Sequence, residues 1–369
     1  MFISIDFENK RTLFRNPKNI ISCFNHQEFN RTFAKIENLL NKGFYLAGFI
    51  SYEAGHGFEE QLCKNSDYDF PLVYFGAFEK PIKENLEKNS ILDGNLKNIK
   101  LNISKEDYFK NIISIKDYIA KGEVYQVTYC IKLLFEYDGD HFSLYSKLLH
   151  DQPVPYPAFI QTNNFSILSL SPELFFKKTG SYIITKPMKG TWSRGKNIFF
   201  DIFAKYKLKY DPKNRAENIM ICDLMRNDLG KIGNRIIAPK LFEIAGYTTL
   251  FQMTSTVTAN INSKIKTIEL FRALHPSGSV TGAPKIRSMQ IIKELEKEER
   301  RIYTGAIGYI TPEKNMFFNV PIRTLLIKKD TGEMGIGGGI VWDSTPQGEF
   351  EEGMLKAKFL MDFQPLNRR

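Results

Sequence analysis

Residues 182–195 read YIITKPMKGTWSRG. Tyr182, Ile183, Ile184 and Thr185 favour extended backbone, while Pro187 and Gly190 punctuate it, so a short strand runs into a constrained turn that carries Lys189. A lysine held at such a strand end can serve as a nucleophile. Only about one free lysine in a few thousand is neutral at pH 7, so the site must supply roughly 4 to 5 kcal/mol. Burial or a neighbouring cation can provide it. Taken alone, a lysine beside a glycine is the make-up of a solvated turn, and the surrounding chain has to decide between the two readings.

Outward from this stretch, short strands and turns recur. Downstream, YTGAIGYI (303–310), MFFNVPIRTLLI (316–327) and MGIGGGIVW (334–342) alternate strand with turn, a pattern that means antiparallel sheet. Gly337, Gly338 and Gly339 weaken the last of these strands unless a ligand or another backbone comes close. Upstream, FSILSLSPELFF (165–176) is a strand broken at Ser171 and Pro172, with Glu173 just past the break. In EVYQVTYCIKLLFEY (123–137), Gln126, Thr128, Cys130 and Lys132 alternate with a larger apolar set. That polar face fits either an ordinary strand or the wall of a site. A long strand is predicted over 247–261, and residues 1–80 supply strands at 2–7, 44–52 and 71–79 with a helix at about 27–41. The polar stretch 80–103 is the best linker, which places a boundary near residue 100.

Four further helices carry polar groups of interest. Ser104, with Asp107 three residues on, caps a helix whose Tyr108, Ile112, Ile115 and Ile119 share a face. A helix at about 213–229 places Glu217, Ile221, Leu224 and Asp228 together, and its dense polar set of Arg215, Asp223, Arg226, Asn227 and Asp228 also fits an exposed ion-pair network worth little. The loop HPSGSVTGAPK (275–285) brings glycines, hydroxyls such as Ser279, and Lys285 to a helix start, as an anion cradle of backbone N–H groups would. The phosphate-loop order fails, because Lys285 follows Pro284. That helix is predicted to run to about 299 with Ile286, Met289 and Ile292 in the core. Pro346 opens a final helix with Glu349 and Glu352 three apart and Lys356 one turn on, although acids in a first turn also simply complement the macrodipole.

Composition narrows the class. With 369 residues and 43% hydrophobic content the chain is globular, and no apolar run approaches the ~20 residues that span a bilayer. The start MFISIDFENK lacks the regions of a signal peptide, so a cytoplasmic location is expected and no membrane partner. Cys23, Cys63, Cys130 and Cys222 form no pair and are expected to be buried apolar residues. The net charge of +10 lies largely in Asn/Lys-rich segments without a basic stripe interleaved with aromatics, so no nucleic-acid partner is expected. Carboxylates without a His or Cys cluster point to Mg²⁺ as the metal.

In chain order, SPELFF, PMKGT, RAENIMICDLMRNDLGKI, SGSVTGAPKIRSMQIIKELE, YTGAIGYI, NVPIRTLL and GIGGGIVWDSTPQGEFEE resemble the signature blocks of the chorismate-utilising enzymes, over about residues 104–362. The resemblance implies an α/β (α+β) fold, a large α/β/β/α sandwich of two antiparallel sheets with helices outside. Residues 1–100 would be its N-terminal scaffold, a possible regulatory or partner surface, and 104–362 the chorismate-binding catalytic region. Water-adding members carry a lysine base where this chain has Gln126. Anthranilate-forming members have alanine in place of Lys189 and histidine in place of Gln252. The branch implied is therefore the one that aminates C4 of chorismate.

By the same matching, Lys189 would form a covalent adduct at C2, Glu173 would protonate the leaving hydroxyl, and Gln126 would exclude the water reaction. Glu217 and Glu352 would hold Mg²⁺ with Glu349 behind them. Arg323 and Tyr303 would hold the enolpyruvyl carboxylate, near Ser279, Gly337, Gly338, Gly339 and Lys356, with Gly190 and Thr191 along the ring. The resemblance also implies a glutamine amidotransferase subunit as the source of ammonia, and a product destined for 4-aminobenzoate and folate. The alternatives are an anthranilate-forming component and a family member that binds chorismate without turnover.

Overall fold

The computed structural model describes residues 1–82, 94–195, 197–247 and 250–363. Residues 83–93 of the predicted linker and two positions of the strand predicted from 247 lie outside them. The chain opens with strands β1 (Phe2–Phe7), β2 (Lys10–Arg15) and β3 (Asn19–Cys23), helix α1 (Phe29–Asn41), β4 (Tyr45–Ile50) and β5 (Val73–Phe78). Then come β6 (Leu96–Leu101), α2 (Lys105–Ala120), β7 (Gln126–Tyr137), α3 (His141–Asp151), β8 (Tyr156–Gln161), β9 (Ser166–Ser171) and β10 (Leu174–Thr179). The central part holds β11 (Tyr182–Lys186), β12 (Met188–Ser193), α4 (Ile198–Tyr210), α5 (Pro212–Gly230), β13 (Gly233–Gly246), β14 (Leu250–Ile261) and α6 (Thr267–Leu274). The last part holds β15 (Gly282–Ala283), α7 (Lys285–Leu295), β16 (Ala306–Ile310), β17 (Met316–Asn319), β18 (Thr324–Lys328), β19 (Thr331–Ile340) and α8 (Pro346–Met361).

Two antiparallel sheets result. One runs β15-β7-β19-β18-β9-β8-β1-β2 with β6 also on β7, and the other β12-β14-β11-β10-β17-β16-β4-β5-β3 with β13 also on β14. Side chains alternate across each strand, so every sheet has an inner and an outer face. Ala47 and Phe49 of β4, Phe317 of β17 and Ala158 of β8 meet in a core between the sheets. Their neighbours Leu46, Ile50 and Phe318 turn the other way, against α1, α5 and α6. Over the first sheet, α2, α3, α7 and α8 cover Val127, Leu133 and Met334. The layers are therefore α/β/β/α, and each fully buried Phe contributes roughly 1.5–3 kcal/mol.

Several expectations need correction. Residues 96–101 form β6, because the free edge of β7 supplies ladder partners that local sequence does not. Helix α7 stops at Leu295, and Ile286 points outward at 42% exposure, while Ser288 is buried and donates to the Gln126 carbonyl at 3.1 Å. Cys63 is exposed, unlike the other three cysteines. Asp228 is not a surface charge: it is buried between Lys285 and Lys231. The cap of α2 forms as expected, with the Ser104 hydroxyl accepting from the Asp107 N–H at 3.1 Å.

Candidate active site

β12 is displaced from its partner β14 in a way that aims Lys189. Met188 lies opposite Thr254 and Thr191 opposite Gln252, so β12 carries one more residue than β14 over this interval, a β-bulge. Gly190 takes φ +96, which favours glycine, and an added Cβ there would lie 2.9 Å from the Asn214 side chain. The bulge turns Lys189 into a cavity of about 900 Å³ formed where β12 and β14 approach β7 and β19, with α5 and α8 at its sides. A methyl built on Gly339 would lie 2.6 Å from Gln126 Nε2 and 2.8 Å from Lys189 Nζ. The glycine run of β19 thus leaves room for both side chains.

Burial acts on Lys189 and Glu173 with opposite sign. It lowers the Lys189 pKa, as does the charge of Lys356, against the pull of Glu217, Glu173 and Glu352. Glu173 is pushed up to about 7 by burial, in spite of a hydrogen bond from Ser279 and the charge of Lys189. The Ser279 hydroxyl donates to Glu173 Oε1 at 2.5 Å, and the break at Pro172 lets the Ser171 hydroxyl accept from the Glu173 N–H at 3.1 Å. Near them, both amide atoms of Gln126, Thr128 Oγ1 and Gln252 Oε1 are buried without a hydrogen-bond partner among the described residues. Each such group costs roughly 1–3 kcal/mol unless a ligand satisfies it.

Glu217 on α5 and Glu349 and Glu352 on α8 line one side of the cavity. Burial raises the pKa of Glu217 and Glu349, and the charge of Glu352 raises both further. Glu352 itself is held low by Lys356, which it meets at 2.8 Å. Three mutually repelling carboxylates with no histidine or cysteine suit a hard divalent cation in donor chemistry. Among the described residues no three acids, histidines or cysteines are gathered as a closed metal cage, so a bound cation would need further oxygen ligands.

Cationic and aromatic side chains line the cavity as well. Arg323 sits at φ +50, lines the cavity, and is lowered in pKa by burial. Tyr303 lines it too, with its ring packed where a Cβ on Gly335 would fall. Lys356 donates to the Gly337 carbonyl at 2.8 Å, while Glu349 Oε2 lies 3.0 Å from where a Cβ on Gly338 would sit. Thr191 and Gly190 complete the wall beside Lys189.

The expected residues other than Gln126 therefore line one cavity, and Gln126 is fully buried behind Gly339, its Nε2 2.6 Å from where a Cβ there would sit. Lys285 does not line it: it is turned to Asp228 and to the Leu274 carbonyl, so the loop at 275–285 contributes Ser279 and not a cationic cradle. Lys213 was not expected, yet it lines the cavity and its charge reaches Glu217, Glu349 and Glu352. Its place one turn before Glu217 on α5 was the available signal.

Residues 83–362 match the family described as chorismate binding enzyme. The chain is 38% identical over 262 residues to aminodeoxychorismate synthase component 1 of Klebsiella aerogenes, covering 70% of this chain and 58% of that protein. It is 38% identical over 261 residues to a probable chloroplastic aminodeoxychorismate synthase of Oryza sativa subsp. japonica, covering 69% of this chain and 29% of that one. The chain thus spans less than two thirds of the length of these curated relatives. Anthranilate synthase component I from Streptococcus pneumoniae TIGR4 has the same fold, with a TM-score of 0.82 at 23% identity over 97% of this chain and 92% of that one.

Proposed function

The chain belongs to the chorismate binding enzyme family, and from that premise we propose that it acts as aminodeoxychorismate synthase component I, aminating chorismate at C4 with ammonia. The observation that carries this reading is Lys189, presented by a bulge to the cavity with its pKa lowered by burial, beside a Glu173 whose pKa is about 7. Product and substrate differ by NH₂ for OH on the same face of the ring, which two allylic displacements achieve and one does not. The neutral Lys189 amine attacks C2, the ring double bond shifts, and the C4 hydroxyl leaves as water with the proton of Glu173. Ammonia then attacks C4, the double bond returns, and the C2–N bond breaks to restore the neutral amine. The proton of the new ammonium passes to Glu173, which closes the cycle.

Ser279 keeps the Glu173 carboxyl oriented through its 2.5 Å hydrogen bond. Arg323 and Tyr303 hold the enolpyruvyl carboxylate, with a guanidinium fork matched to two oxygens. Gln126 offers an amide where a basic side chain would activate water, which favours nitrogen transfer. Glu217 and Glu352, with Glu349, would hold Mg²⁺, which would supply charge neutralisation to the ring carboxylate. Ammonia comes from a separate glutamine amidotransferase subunit, the product leads to 4-aminobenzoate and folate, and the setting is the cytoplasm. Among the described residues no helix is long and apolar enough to cross a membrane.

The reading is tested by incubating the protein with chorismate, Mg²⁺ and ammonium salt, then adding an aminodeoxychorismate lyase. 4-Aminobenzoate is expected, and only after the lyase is added. Anthranilate fluorescence before that addition overturns the reading in favour of C2 amination, and chorismate binding without turnover favours a silent family member.

A further inference from the structure

The bulge that aims Lys189 is shaped from behind by helix α5. As the register of β12 on β14 passes from Met188 with Thr254 to Thr191 with Gln252, Lys189 and Gly190 together oppose Met253 alone. A bulge takes backbone groups out of the ladder, and a buried carbonyl left there needs a donor from elsewhere. For the Lys189 carbonyl the donor is Asn218 of α5, whose Nδ2 lies 3.4 Å away. Asn214, one turn earlier on the same face, stands where a Cβ on Gly190 would fall, and is itself held by Asp211, which accepts from its N–H and its Nδ2 at 2.8 Å each. Two asparagines of one helix face thus mould two consecutive residues of the strand.

The direction of the Asn218 amide is fixed by its other neighbours. Asn218 and Ser255 of β14 are both buried. The Ser255 hydroxyl accepts from the Phe242 N–H at 3.1 Å, which leaves its one hydrogen for the Asn218 side chain at 2.5 Å. The amide atom facing Ser255 is therefore the oxygen, to which the Cys222 thiol also points at 3.6 Å, and the nitrogen is turned to Lys189. Reversed, the amide would bring its oxygen against the Lys189 carbonyl, two acceptors without a hydrogen between them. One hydrogen on Ser255 decides between the two arrangements.

We propose that Asn218 is a positioning residue for the nucleophile: oriented by Ser255, it fixes the peptide plane between Lys189 and Gly190, and so the direction in which the Lys189 side chain leaves the strand. The proposal rests on the reading of Lys189 as the nucleophile. Asn218 is not one of the residues that line the cavity, so it acts on the amine and not on the substrate. It also ties three parts of the site together, since it follows Glu217 on α5, and Ser255 lies three residues beyond Gln252 on β14. A nucleophile that must come within about 3–3.5 Å of the carbon it attacks is sensitive to such a tether.

Asn218→Leu keeps the size of the side chain and removes the donor, while Ser255→Ala removes the hydrogen that orients it. With chorismate, Mg²⁺ and ammonium salt, each is expected to lower kcat by roughly 10–100-fold while KM for chorismate stays within about twofold, because Arg323 and Tyr303 are untouched. The double variant is expected to be no slower than Asn218→Leu, as for two residues acting along one path, and Ser255→Thr, which keeps the hydroxyl, to recover most of the rate. An unchanged kcat in Asn218→Leu overturns the proposal, and so does a loss that multiplies in the double variant or one carried by KM. If Asn218→Leu does not fold, Ser255→Ala against Ser255→Thr gives the same comparison. Should the parent form no 4-amino product, the functional reading falls by itself. The rate at which acetic anhydride acetylates Lys189 in the folded proteins, followed by peptide mass, then decides the positioning alone: a change of about threefold or more in Ser255→Ala that Ser255→Thr does not share supports it, and equal rates overturn it.

Discussion

At Glu173 the protein holds a carboxyl that burial drives up to about 7, against an ordinary value of 4.5. Because its folded pKa lies above the unfolded one, the folded state binds the extra proton, and stability from this group falls as pH rises from about 4.5 to about 7. Glu173→Gln removes that cost. The variant is expected to resist urea better than the parent at pH 8 and equally at pH 4, which equilibrium denaturation at both values checks. Activity goes the other way: the acid is lost, kcat falls by roughly 10²–10⁴, and the decline of kcat/KM above pH 7 disappears. Gain of stability with loss of turnover at one position is what a buried group kept for chemistry produces, and a merely structural glutamate would lose both.

At the scale of elements, β19 lies on β7 so closely that its consecutive glycines do different things. A Cβ on Gly337 would fall on the Tyr129 carbonyl, which is backbone and has nowhere to go. The atoms nearest a Cβ on Gly339 are the ends of the Gln126 and Lys189 side chains, which are not fixed as backbone is. Gly337→Ala is therefore expected to destabilise the fold by about 1–3 kcal/mol. Gly339→Ala is expected to leave the melting temperature nearly unchanged while lowering kcat/KM on the order of 100-fold through displacement of Lys189. Thermal unfolding and steady-state kinetics of the pair separate the effects. The glycine run was legible in the sequence as a place of close approach. Which glycine faces backbone and which faces the site was not, because that depends on the register of Gly337 with Cys130 and Gly339 with Thr128. Helix α4 was missed for a related reason: apolar residues occur all round IFFDIFAKYKLKY, so periodicity gives no inner face.

At the scale of the molecule, residues 1–82 are woven into both sheets. β1 pairs with β8 in one, and β4 pairs with β16 in the other. Ile3, Ile5, Phe14 and Phe49 share a core with Ile160, Leu174 and Ile307. A chain begun at residue 94 would expose two sheet edges and half of that core, although most of the family match lies beyond this point. It is expected to be insoluble or to lack a cooperative unfolding transition, measured by circular dichroism on heating. A sharp transition in the truncated chain would show that the first five strands are dispensable.

The sequence by itself determined the strand and helix types around the site, the break that frees Glu173, the capped helices and the residues with chemical capacity. These depend on neighbours a few positions away, where turn residues and periodicity act. Only the tertiary structure decided how Lys189, Gln126 and Gly339 from three strands come to share one space, that Lys285 is used by Asp228, and that burial shifts Lys189 and Glu173 toward neutrality. Those outcomes depend on desolvation and on contacts between residues far apart in the chain, and neither is written in local sequence.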